Sequence, residues 1–151
     1  LLIIGDGPER ARLTRMADKF GVRDAVHLAG ALPETRVALS LMQVFVFLPA
    51  EQEGFGLSLL EAMASARPIV SVRRGIGAPW VLEQSGVGMV VEPNDASALA
   101  GSIILLLRNA DVAAQEGAKA RAVLRERYQL ERMVDQVETV YRGLLSGDPG
   151  A

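Results

Sequence analysis

Cysteine is absent from this 151-residue chain, and histidine and tryptophan occur once each. The first absence excludes disulfides and thiolate metal sites, and it fits a reducing, cytoplasmic compartment. A lone histidine excludes a multi-histidine centre, and no acidic triplet stands at ligand spacing, so no metal is expected. Long apolar runs are also missing. None approaches the ~20 residues a membrane-crossing helix takes, and no stretch reads as a signal peptide. There is no basic stripe either. Lysine and arginine total 16 against 18 aspartates and glutamates, a formal charge of −2, which argues against sequence-independent nucleic-acid binding. Repeats and low-complexity tracts are lacking. What the chain has is apolar surface to bury: half its residues are hydrophobic, enough for one domain with a sizeable core.

Strand and helix signals alternate, which predicts an α/β fold with a mostly parallel sheet covered by helices on both faces. Strands are expected at residues 1–4, 26–29, 44–48, 69–72 and 88–91, with 44–48 central. Helical spacing links Leu13, Met16, Ala17 and Phe20, closed by Gly21. Further helices are expected over 33–43, with Val37, Leu41 and Met42 buried, and over 56–65 and 79–84. Asp95 is placed to N-cap a helix through Arg108. Two more helices follow, near 112–127 and 131–145, before a flexible tail at 146–151. His27, the lone histidine, lies between Val26 and Leu28 and reads as a strand residue rather than a catalytic one.

The stretch EGFGLSLLEAMA, residues 53–64, carries the most chemistry. It follows the apolar run 44–48, and Gly54 and Gly56 stand where strand should turn into helix. Ligands of open parallel sheets bind beyond the carboxyl ends of the strands. The free N–H groups of Phe55, Gly56 and Leu57 would open a helix there and form a site for phosphate or diphosphate. The glycines would let a ligand approach the backbone, so Gly56→Val is expected to abolish binding while sparing the fold. Glu61 is the only charge between Gly54 and Ala66. Buried without a partner it would cost several kcal/mol, so it has either an internal donor or a ligand that supplies hydroxyls. A carboxylate can accept two hydrogen bonds at once, which suits a ribose diol. Glu53, at the mouth of the turn, would face the hydroxyls of a neighbouring sugar. The alternative is that Glu53 is a solvated loop charge and Glu61 is paired internally.

Glu53 and Glu61, with seven residues between them inside E-G-F-G-L-x-L-L-E-A-M-A, resemble the E-x7-E motif of retaining GT-B glycosyltransferases, the glycosyl transferases group 1 family. Residues 3–9 (IIGDGPE) resemble the family's strand and G-x-G-P turn, and 26–30 (VHLAG), 47–49, 68–71 and 88–93 fit its later strands in order. The resemblance implies a Rossmann-like, donor-binding domain and transfer of a sugar from a nucleotide diphosphate donor, such as a UDP- or GDP-sugar, without another cofactor. It implies that Glu53 contacts the donor sugar as the catalytic glutamate and that Glu61 binds the ribose. Gly54, Phe55, Gly56 and Leu57 would meet the diphosphate, and Gly30, Ala31 and Leu32 the nucleobase. It also implies an N-terminal acceptor-binding domain as partner, and it permits peripheral contact with the inner face of a membrane.

The chain departs from the family pattern in four places. Ala66 stands where the family commonly has glycine, a position suited to a left-handed helix cap. Trp80 takes the acidic place of a G-G-x-P-E loop, here Gly75-Ile76-Gly77-Ala78-Pro79-Trp80. Arg73 and Arg74 at the entrance of that loop either are solvated or reach a phosphate. The family's first strand and helix, with its G-R…K-G segment, have no counterpart. The chain therefore reads as a piece of something longer that is inactive alone, and residues 1–4 and 44–48 are expected not to pair. Two rival readings stand. One is an inactive nucleotide-sugar-binding fragment or interaction module. The other is an NAD-type domain, but its G-x-G-x-x-G fingerprint would need glycine at Arg10.

Overall fold

β4 (Ile69–Val72) is the most thoroughly buried strand, every residue of it inside. It lies in the middle of a parallel three-stranded ladder between β3 (Phe45–Phe47) and β5 (Met89–Val91). A strand packed on both faces reads as a continuous apolar run, and Ile-Val-Ser-Val fits once the Ser71 hydroxyl donates to the Val72 carbonyl at 3.3 Å. The sequence pointed instead to residues 44–48 as central. That run is flanked on one side only, and its side chains are half-buried.

The computed structural model describes residues 1–146. Two compact units divide it, Leu1–Val37 and the chain from Ala38 onward. The first unit pairs β1 (Leu2–Ile4) in parallel with β2 (His27–Gly30), linked through α1 (Arg10–Lys19) and a 3-10 turn at Arg23–Ala25. Gly21, in the left-handed region at φ +67°, closes α1 by donating to the Asp18 carbonyl, as expected. His27 is an exposed strand residue. The fold is thus α/β with parallel sheets flanked by helices, in two ladders rather than one. Among the described residues no ladder joins β1 to β3.

α2 (Arg36–Leu41) is shorter than expected and buries Ala38 and Leu39. Val37 and Leu41 are exposed, and of the three positions predicted to be buried only Met42 packs against the core. With six residues the helix presents under two turns, so one narrow stripe faces inward. α3 (Leu57–Ala64) supplies Leu59, Ala62 and Met63 to the core, and α4 (Gly77–Ser85) supplies Ala78, Val81 and Leu82. The Asp95 carboxylate caps α5 (Ala96–Arg108) by accepting from the Ala98 N–H at 2.8 Å. α6 (Ala110–Arg127) and α7 (Leu130–Ser146) follow. Of the expected tail, Ser146 ends α7 and the remainder lies outside the described residues. Among the described residues no single helix is long and apolar enough to cross a membrane.

Ala66 adopts φ +52°, the left-handed cap its position suggested. α6 fits tightly over it, because a Cβ on Gly117 would stand 2.1 Å from the Ala66 carbonyl oxygen. A left-handed alanine costs about 1–2 kcal/mol, and a glycine returns about 0.4–1 kcal/mol of that through its freer unfolded chain. Ala66→Gly is therefore expected to stabilise the protein by about 0.5 kcal/mol, read as a raised urea midpoint at unchanged slope. A lowered midpoint would show that the cap is not strained.

Candidate functional site

The carboxyl end of β3 runs into the buried Pro49, a turn at residues 50–53, and the start of α3. The Glu53 N–H donates to the Ala50 carbonyl at 3.1 Å, and Glu53 is half-buried. Gly56 is the N-cap of α3 at φ +81°, and no side chain caps the helix. The first turn of α3 carries no acidic residue. The Leu59 N–H donates to the Gly56 carbonyl at 2.9 Å, and a helix start free of carboxylates favours an anion over a cation.

The first unit offers a contrast. Asp6 and Glu9 stand at the start of α1, where the Asp6 carboxylate accepts from the Gly7 N–H at 2.8 Å and Glu9 pairs with Arg12 at 2.7 Å. Arg10, where a dinucleotide fingerprint would have its third glycine, donates to the Leu28 carbonyl at 3.1 Å. Its guanidinium lies 4.0 Å from where a Cβ on Gly30 would stand. Two carboxylates at this helix start disfavour an anion there.

One expectation changes on this geometry. Gly56 does not leave open space for a ligand, because a Cβ there would lie 2.6 Å from Cζ of Phe47. A valine at 56 would therefore disturb the fold as well as any ligand. Gly54 has nothing within 4 Å of its missing Cβ and is the open position of the pair. Glu61 is exposed, so burial does not set its role. It lies four residues after the exposed Leu57, on the solvent face of α3, while Leu59, Ala62 and Met63 anchor the other face.

The loop between β4 and α4 closes on this turn backbone to backbone. A Cβ on Gly77 would stand 2.1 Å from the Gly54 carbonyl oxygen and 2.5 Å from the Phe55 Cα. One on Gly75, which has φ +69°, would stand 3.1 Å from the carbonyl oxygens of both Ala50 and Glu53. α4 also begins without a side-chain cap or an acidic first turn. Phe55 is held from outside by Tyr128, ring centroids 6.1 Å apart. Sequence reasoning missed Gly75, Gly77, Phe47 and Tyr128 as supports. Tyr128, 73 positions beyond Phe55, carries no local signal. Of the two arginines, Arg73 is engaged by Glu83 and, at 2.8 Å, by Glu92. The hydrogen bond to Glu92 and the charge of Glu83 raise its pKa above the ordinary arginine value. Arg74 is half-buried and has no ion pair among the described residues.

The second unit thus brings Glu53, Gly54, Phe55, Gly56, Leu57 and Glu61 onto one turn and helix. Gly30 ends β2 in the first unit, and Ala31 and Leu32 follow it, both exposed.

The family described as Glycosyl transferases group 1 matches residues 1–109. The chain belongs to this family. It is 32% identical over 148 residues to N-acetyl-alpha-D-glucosaminyl L-malate synthase of Bacillus anthracis, covering 98% of this chain and 38% of that protein. Among solved structures, sucrose-phosphate synthase from Thermosynechococcus elongatus superposes with TM-score 0.84 at 28% identity, covering 97% of this chain and 39% of the other. The TarM G117R mutant of S. aureus, in complex with fondaparinux, alpha-GlcNAc-glycerol and UDP, superposes with TM-score 0.82 at 25% identity, covering 93% and 28%. This glycosyl transferases group 1 chain therefore spans about two fifths or less of the length of these relatives.

Proposed function

We propose that the chain is the donor-binding part of a retaining glycosyltransferase and holds a nucleoside diphosphate sugar at the N-terminus of α3. The observation that carries this reading is the uncapped start of α3 at the end of β3, free of acidic residues in its first turn and flanked in sequence by Glu53 and Glu61. In this reading the N–H groups of Phe55, Gly56 and Leu57 receive the diphosphate. Glu61, on the exposed face of the same helix, accepts from the ribose hydroxyls. It lies about 6 Å along the axis from Leu57, beyond the phosphates. Glu53 accepts from hydroxyls of the sugar. UDP in the complex of the TarM mutant supports a UDP-sugar as the first donor to test.

The chemistry follows from these donors. As the bond between the anomeric carbon and the diphosphate oxygen breaks, negative charge grows on the departing phosphates. Fixed N–H groups at a helix N-terminus stabilise that charge without reorganising. The leaving group is a good one, so the residues of this chain mainly orient it. The acceptor comes from elsewhere in a longer polypeptide, and the 151-residue chain alone transfers no sugar.

Calorimetry with UDP, GDP and NAD tests the reading. A nucleoside diphosphate should bind and NAD should not, and incubation with a UDP-sugar and candidate acceptors should give no product. Binding of NAD without nucleoside diphosphate would favour the dinucleotide reading, and turnover by the chain alone would contradict the division of labour.

A further inference from the structure

The sole tryptophan is Trp80, and it is 55% exposed. Tryptophan is highly buried on average, so an indole that open on the first turns of a helix needs a reason. Ala78 and Pro79 beside it are buried. Ile76, 83% exposed, precedes it by four residues, and its carbonyl accepts from the Trp80 N–H at 3.4 Å. The two side chains share one outer face of α4.

The turn that opens α4 borders the candidate site. Helical side chains lean toward the helix N-terminus, which directs an indole at position 80 toward the turn that opens α4. This turn rests on the site. Gly77 abuts Gly54 and Phe55, and a Cβ on Gly75 would be 3.7 Å from the Glu53 Cβ. Glu53 is the residue that the donor-binding reading assigns to the sugar.

We propose that Trp80 is a stacking platform for the sugar ring of the donor, and so a specificity-determining residue that separates sugar nucleotide from bare nucleotide. The proposal rests on the donor-binding reading. A pyranose presents a face of C–H groups that packs against an aromatic ring, and small-molecule sites are lined mainly by such apolar surface with a few polar groups to set orientation. An acidic residue here would select hydroxyls. An indole selects ring faces instead and tolerates variation in hydroxyl stereochemistry.

The single tryptophan makes the test direct, because all indole fluorescence comes from this position. UDP, UDP-N-acetylglucosamine and free N-acetylglucosamine are titrated into the wild-type chain by fluorescence and calorimetry, and into Trp80→Ala and Trp80→Phe by calorimetry, with circular dichroism to check folding. UDP-N-acetylglucosamine should change the wild-type emission more than UDP does. Trp80→Ala should weaken the sugar nucleotide about 5- to 10-fold, a change of about 1–1.4 kcal/mol, and UDP less than 2-fold. Trp80→Phe should restore most of the affinity. Equal loss for both ligands, or no loss for either, would overturn the stacking role while leaving the donor-binding reading intact. An emission change with free N-acetylglucosamine alone would assign the platform to an acceptor and overturn the donor assignment. Failure of the wild-type chain to bind either nucleotide would overturn the underlying reading and the proposal together.

Discussion

Gly77→Ala is expected to destabilise the protein by about 1–3 kcal/mol, the scale of overpacking in a tight interior, and to abolish measurable nucleotide binding. The added methyl would meet the Gly54 carbonyl oxygen at 2.1 Å, its carbonyl carbon at 2.8 Å and the Phe55 Cα at 2.5 Å. All three are backbone atoms, so no flexible side chain can swing aside. The loop after β4 must lift away from the turn after β3, which moves the N–H groups at the start of α3. Gly54→Ala is the control, because nothing lies within 4 Å of its missing Cβ. It should stay within about 0.5 kcal/mol of wild type in urea unfolding. Similar midpoints for the two variants would mean that the two loops do not support each other.

The second large effect is on binding alone. Glu61 is exposed, so Glu61→Gln should leave stability within about 0.5 kcal/mol. If it accepts from the ribose, the same change should weaken a nucleoside diphosphate by about 1–3 kcal/mol, the scale of a hydrogen bond to a charged group. That is about 5- to 150-fold in Kd. Glu53→Gln should act differently. Glu53 faces the sugar in this account, so its loss should weaken the sugar nucleotide more than the bare nucleotide. Calorimetry with both ligands on both variants separates the roles, and uniformly negligible effects would remove the pair from the site.

Much of this was legible in the sequence because the signals are local. The strand-turn-helix at 44–65 and the Asp95 cap each depend on residues within a few positions of one another, while the left-handed position of Ala66 was implied by the family resemblance alone. What was not legible is what tertiary packing decides. Glycine at 56 reads as room for a ligand, yet Phe47, nine residues earlier on β3, fills that space. An apolar helix leaves open whether Glu61 is buried, and the inward stripe of Leu59, Ala62 and Met63 leaves it exposed. The backbone contact between Gly77 and Gly54, 23 positions apart, has no trace in periodicity. Nor does periodicity choose the central strand. The run 44–48 is as apolar as 69–72, and only the ladder places β4 between its neighbours.

The proposed function places a nucleoside diphosphate on the start of α3. A titration of the isotope-labelled chain with UDP and GDP, followed by amide chemical shifts, tests it most directly. Saturable shifts should be largest at the N–H groups of Phe55, Gly56 and Leu57. Shifts concentrated instead at Gly5 and Gly7 after β1, or no saturable shift with either nucleotide, would contradict it.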